Sequence, residues 1–258
     1  MLNNYFPPAL PEQLYTEKGI KPMKRILITS LSLAFAMCLT LVQPASAQDQ
    51  KQALQEKVAA FKQSTAENQK ALRQYGWTEN TQLSLKGEVK STKIEQCRYG
   101  PDGKVQKTLL SAPPEKKEMR GLKKRVVEKK TDEMKDYMEQ VVALIQQYIP
   151  PKPELIKADV AGGNASFSPQ GADAIQLQFK DFVKKGDGVT FTLNTAAKAI
   201  RQVKVDTYMD EEKEKVALAV DFQTLPDGTN YAASKSLDVT AKKIVVKVTA
   251  SNYQKLAQ

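Results

Sequence analysis

From Gln50 to Tyr75 the chain places Leu54, Val58, Phe61, Thr65, Asn68 and Leu72 at spacings of three and four, which predicts one amphipathic helix ended by Gly76. From Trp77 to Leu110 the period drops to two. Leu83, Leu85, Val89, Cys97 and Tyr99 then share one parity, with polar residues largely on the other, as expected of strands with one covered face. Tyr99-Gly100-Pro101-Asp102-Gly103-Lys104 has the chemistry of a tight turn, proline presetting one dihedral and glycine accepting a positive one, so it predicts a hairpin with Val105 to Leu110. Ala112-Pro113-Pro114 closes that unit. Leu122, Val126, Met134, Tyr137, Val141, Leu144, Ile145 and Tyr148 next trace a second, longer helical stripe, and Pro150, Pro151 and Pro153 stop it.

Strand patterns return after Ala165. Ile175, Leu177 and Phe179 alternate, as do Val189, Phe191 and Leu193; Val203 and Val205; Val216, Leu218, Val220 and Phe222; Leu237 and Val239; and Ile244, Val246 and Val248. Turn signals separate them at Lys185-Gly186-Asp187-Gly188, around Asp210-Glu211-Glu212 and at Leu225-Pro226-Asp227-Gly228, and connections this short imply antiparallel neighbours. The predicted fold class is α+β: a strongly curved antiparallel sheet of about eight to ten strands, an open or half barrel, with an N-terminal helix and a long inserted helix packed on one face.

Ahead of this pattern lies a stretch of another kind. Lys24 and Arg25 precede an apolar run from Ile26 to Val42, and Pro44 comes just before Ala45-Ser46-Ala47, the layout of a secretory signal peptide over 23–47 with cleavage near Ala47. At about 17 residues the run is at the lower limit for a spanning helix, which leaves an uncleaved anchor as the alternative. Residues 1–22, with four prolines, match no element and read as an over-extended start; 48–258 then forms one half-barrel-like domain, periplasmic or secreted. Removing 1–47 takes away Lys18, Lys21, Lys24 and Arg25 against Glu12 and Glu17, lowering the formal charge from +10 to +8.

The remaining basicity fits either a polyanion-binding surface or an ordinary lysine-rich one; export argues against nucleic acid. Cys97 is the only cysteine beyond the leader, so no intramolecular disulfide is available, and it reads either as a reactive thiol or as a small apolar side chain on a strand. The chain has no histidine, which removes Ser-His-Asp and Cys-His catalysis and the usual His-bearing zinc sites. No cofactor motif is present, since Ala161-Gly162-Gly163-Asn164 lacks the lysine and following helix of a phosphate loop and reads as a loop. Asp206, Asp210, Glu211, Glu212 and Glu214 lack the regular alternation of a calcium loop and read as a charged hairpin tip.

Two features remain as candidate sites. Lys116, Lys117, Arg120, Lys123, Lys124, Arg125, Lys129 and Lys130 crowd one stretch that could rest on an anionic membrane surface or a polyanion, or pair locally with Glu115, Glu118 and Glu128 as a solvated helix face. Met119, Met134, Met138, Tyr137 and Tyr148 suit either an irregular apolar ligand or plain core.

The helix to Tyr75, the block Thr81-Gln-Leu-Ser-Leu-Lys-Gly87, the segment Val220-Asp-Phe-Gln-Thr-Leu-Pro-Asp-Gly228 and the tail Ala250-Ser-Asn-Tyr253 together resemble the periplasmic lipoprotein-carrier superfamily, the LolA/LolB-like half-barrels. The resemblance covers most of the chain beyond the leader, is architectural, and transfers no individual residue. It implies a non-enzymatic protein that holds a lipid or lipoprotein acyl chain between curved sheet and covering helices. The expected lining is Leu83, Leu85, Val89 and Cys97 on the sheet with Tyr137, Met138 and Val141 on the inserted helix; the competing expectation is a filled sheet, without a ligand cavity, whose basic helix docks an acidic partner or an envelope polymer.

Overall fold

The computed structural model describes residues 63, 64, 66–110 and 122–256. Helical residues 66–72 lead into strands β1 (Tyr75–Leu85), β2 (Glu88–Tyr99) and β3 (Val105–Leu109). Helices α1 (Leu122–Ile145) and α2 (Pro153–Gly162) follow, then β4 (Ala165–Pro169), β5 (Ala174–Lys180), β6 (Gly188–Asn194), β7 (Ala199–Tyr208), β8 (Lys215–Thr224), β9 (Asn230–Val239) and β10 (Ile244–Lys255). All ten strands form one sheet in the order β3-β2-β1-β10-β9-β8-β7-β6-β5-β4, and every pairing is antiparallel. β3 and β4 are its two edges, so the sheet does not close: it is an open half-barrel, as the alternating pattern predicts. The connection from β3 to β4 must cross from one edge to the other, and α1 and α2 make that crossing over the inner face.

The stripe on α1 explains how it sits. Met138, Val141 and Ile145 recur at three and four residues, continue into Tyr148 just past the helix, and are buried with Val141, Ile145 and Tyr148 at 0% exposure. They pack against the inward residues of β5 to β10, among them Phe179, Val189, Val205, Val220, Val239 and Ile244. Fully burying one such side chain contributes about 1.5 to 3 kcal/mol. The far end of the stripe is fixed by polar contacts: the Tyr148 hydroxyl donates to Asp187 Oδ2 at 2.6 Å and lies 2.7 Å from Thr207 Oγ1, all three being buried. Asp187 in turn accepts the backbone N–H groups of Phe182 at 2.6 Å and Lys184 at 2.8 Å. Burial, reinforced by the Asp187 carboxylate, pushes the Tyr148 phenol well above its ordinary value, so it remains a donor.

Several elements differ from the sequence pattern. The helix that Gly76 was expected to end stops at residue 72, and β1 already begins at Tyr75. A turn at Lys86-Gly87, with φ of 55° and 82°, separates β1 from β2; positive φ at both central residues matches the twist of a hairpin. Pro153 starts α2 instead of merely stopping α1, because a proline at the first helical position loses no intrahelical bond. Ala161-Gly162 therefore ends a helix, and Gly163 at φ 76° caps it while the Asn164 N–H donates to the Asp159 carbonyl at 2.9 Å. The acidic run around Asp210 is the tip of the β7–β8 hairpin, where the Met209 N–H donates to the Glu214 carbonyl at 3.0 Å.

Replacing Tyr148 by Phe removes the hydroxyl that ties α1 to the β5–β6 turn. Urea unfolding of Tyr148→Phe should show a loss of about 1 to 2 kcal/mol, the usual effect of deleting one buried hydrogen-bonding group; an unchanged midpoint would dismiss the tie.

Candidate binding cleft

Period two puts Tyr75, Trp77, Glu79, Thr81, Leu83 and Leu85 of β1 on the inner face. Glu79 lies directly opposite Glu95 of β2, a like-charge pairing that is unfavourable by itself. Three lysines resolve it. Lys107 of β3 binds Glu79 and lies 3.9 Å from Glu95; Lys93 pairs with Glu95 at 2.8 Å; and Lys235 reaches from β9, across β10, to Glu79 at 3.1 Å. Glu79 is 3% exposed and Lys235 6%. Burial pushes the Glu79 carboxyl up, but the ammoniums of Lys235 and Lys107 outweigh it and hold the group at about 2. Burial also drives the Lys235 ammonium below its ordinary value, against the pull of Glu79.

Beside this cluster the sheet turns aromatic. The β1–β10 register shifts between Gly76 and Thr78, so that Asn252, at φ 54°, and Tyr253 face the single residue Trp77, a bulge of the kind that bends a strand and redirects a side chain. Tyr253 stacks on Trp77 with centroids 5.6 Å apart and planes 7° from parallel, Tyr99 lies 5.4 Å from Trp77, and Tyr231 lies 4.3 Å from Tyr253. The Trp77 indole N–H is buried and has no hydrogen-bond partner among the described residues.

Between this face and helical residues 66–72 lies a cleft of about 160 Å³. Leu72, Ile149, Phe191, Ile200, Val203 and Phe222 give it apolar walls, Trp77, Tyr99, Tyr231 and Tyr253 an aromatic end, and Glu79 with Lys235 a charged floor. Asn68 and Arg73 line it from the helical side and Lys198 from the β6–β7 turn. Asn68 fixes the cover in place: its Nδ2 donates to the Asn230 carbonyl at 2.8 Å and its Oδ1 accepts the Asn230 N–H at 2.6 Å, as a neighbouring strand would.

Five of the seven expected lining residues, Leu83, Leu85, Tyr137, Met138 and Val141, are brought into one hydrophobic cluster, whereas Val89 and Cys97 lie outside it. Val89 is 54% exposed: Ser84 pairs with Val89 whereas Leu83 pairs with Ser91, so the extra residue Lys90 reverses the parity and turns Val89 outward. Cys97 is fully buried beneath Trp77 and Ala250, in a cluster separate from that of Met138 and Val141. Burial, with Glu79 nearby, pushes its thiol up to about 12, so it is the small apolar side chain and not a nucleophile. Met138 and Val141 are plain core, and the described part of α1 seals the sheet beneath it. The cleft is instead under helical residues 66–72. Of the basic stretch, Arg125, Lys129 and Lys130 are exposed on α1, with Lys129 3.8 Å from Glu133; Lys116, Lys117 and Arg120 lie outside the described residues, as do the side chains of Lys123 and Lys124. The stretch 23–47, expected to be a signal peptide, also lies outside them. Among the described residues no helix is long and apolar enough to cross a membrane, and no group of three or more Asp, Glu or Cys side chains is placed to hold a metal ion.

No protein-family model matches the chain, and no curated protein matches it. Three solved structures align with most of it. A DUF1329-family protein from Desulfovibrio piger is similar at 10% identity and a TM-score of 0.34, over 76% of this chain and 92% of that one. A domain described under outer membrane lipoprotein sorting, from Vibrio parahaemolyticus, is similar at 12% identity and 0.32, over 74% and 91%. A LolA-superfamily protein from Nitrosomonas europaea is similar at 9% identity and 0.33, over 76% and 94%. At these scores the likeness carries no functional argument.

Because the Glu79 carboxyl is held at about 2, below its ordinary 4.5, its contribution to stability is complete above about pH 4.5 and is lost as the pH falls through about 2. Glu79→Gln should remove that acid-limb dependence and, by leaving Lys235 and Lys107 without their shared partner, lower stability at pH 7 by about 3 to 5 kcal/mol, read by urea unfolding across the pH range. Cys97 in the folded protein should react with iodoacetamide at pH 8 no faster than the chain unfolds; prompt alkylation under native conditions would contradict its burial.

Proposed function

We propose that this is an exported, non-enzymatic protein of the cell envelope, acting in the periplasm or after secretion, that holds an acyl chain of a lipid or lipoprotein in the cleft between its half-barrel and helical residues 66–72. The observation that carries the reading is the division of the inner face: beneath α1 it is filled by Met138, Val141, Ile145 and Tyr148, while beneath the helical segment apolar walls surround unfilled space. A volume of about 160 Å³ is close to the ~150 Å³ that accommodates a benzene-sized guest. It therefore suits one alkyl segment and not several chains side by side. The chain has no histidine, and the carboxylate that lines the cleft among the described residues, Glu79, is committed to Lys235 and Lys107, so binding is the chemistry these side chains support.

Native mass spectrometry of protein purified from an envelope fraction should find a bound single-chain or acylated species, and an apolar fluorescent dye should be displaced by added alkyl ligand. Ile200, half-buried at the cleft wall, provides the control: Ile200→Trp should plug the space and weaken dye binding at least about tenfold while leaving circular dichroism unchanged. Protein that is ligand-free and indifferent to the dye would end the carrier reading.

A further inference from the structure

The charges around the cleft are not balanced. Among the described residues that line it, Arg73, Lys198 and Lys235 are cationic and Glu79 alone is anionic. The buried cluster behind the floor repeats the imbalance, with Lys93, Lys107 and Lys235 sharing Glu79 and Glu95. Lys235 stands at an inward position of β9 between Ala233 and Leu237, where its neighbours of the same parity are small or apolar, and a well-packed apolar pair would serve stability as well as a buried ion pair does. Cations in excess and apolar walls converge on one small space.

We infer that the cleft selects a single-chain amphiphile with an acidic head group, a carboxylate or a phosphate monoester, whose charge lies between the Lys235–Glu79 floor and the Arg73 and Lys198 rim and whose chain runs along Phe191, Ile200 and Phe222. This rests on the proposed function and narrows it: a neutral acyl chain would satisfy the apolar walls but leave the excess positive charge without a counter-charge. An acidic head supplies it, and a hydrogen bond from a charged donor to an ionised oxygen is worth more than one to a neutral oxygen.

The test is titration calorimetry of the full chain at pH 7 with octanoate, octyl phosphate, octanol and octylammonium. One or both anions should bind at least about tenfold more tightly than octanol, with octylammonium weakest; which anion leads identifies the head group. The ratio of anion to octanol affinity should fall in Arg73→Gln, an exposed position, and collapse toward one in the double variant Arg73→Gln/Lys198→Gln, which removes the two exposed rim cations and leaves Glu79 and Lys235 to offset each other. If octanol binds as tightly as the anions, the selection for an acidic head is overturned while the carrier reading stands. If none of the four ligands binds, the carrier reading fails and takes this inference with it.

Discussion

The ladder between β1 and β10 is the constraint on which the rest of the molecule depends. It pairs Leu85 with Ile244 at one end and Tyr75 with Lys255 at the other, joining the first hairpin unit to the last strand of a seven-strand meander. Without it there would be two smaller sheets, each with another bare edge. With it, Glu79 and Lys235, 156 residues apart in sequence, meet across β10, and Trp77 receives Tyr253 at the bulge. Closing so long a loop is entropically unfavourable. The ladder offsets that cost with ten paired positions and a shared hydrophobic face.

That same ladder separates two kinds of interior. Toward Leu83 and Leu85 the inner face is aliphatic and α1 closes over it. Toward Tyr75 and Trp77 it is aromatic and charged, and the cover is the helical segment held by Asn68. The difference follows from which side chains occupy the inward parity. Leucine and valine need only a lid of matching shape, whereas a buried glutamate needs a specific number of ammoniums at specific distances. Two of those ammoniums come from the short edge strand β3 and from β9, so the position of the charged floor reports on the register of strands at opposite ends of the sequence.

Much of this architecture was legible from the amino-acid pattern. The stripe from Leu122 to Ile145 is α1, with Tyr148 just past its end, the alternations after Ala165 are β5 to β10, and the turns at Lys185–Gly188 and Leu225–Gly228 fall between strands. What escaped was what a simple period conceals. The Lys86-Gly87 turn lacks the usual asparagine or aspartate, so β1 and β2 read as one run; the bulge at Lys90 then reversed the facing of Val89. Proline at 153 looked like a stop, though the same residue type favours a helix start. The charged floor did leave a trace, because Glu79, Glu95 and Lys235 each interrupt the inward parity of a strand, and a charge at such a position asks for a partner. That they partner one another could not be read locally, since the β1–β10 pairing that unites them has no signature within either strand.

The two bare edges have one further consequence. In a closed barrel, strand number and stagger together fix the circumference. Here, among the described residues, β3 and β4 each have a single neighbour, so the bowl is free to widen or narrow by altering its curvature alone. Every backbone ladder survives such breathing; only side-chain packing changes. The girth of the interior is thus governed by how firmly the helical covers grip the rim, and not by the hydrogen-bond network of the wall.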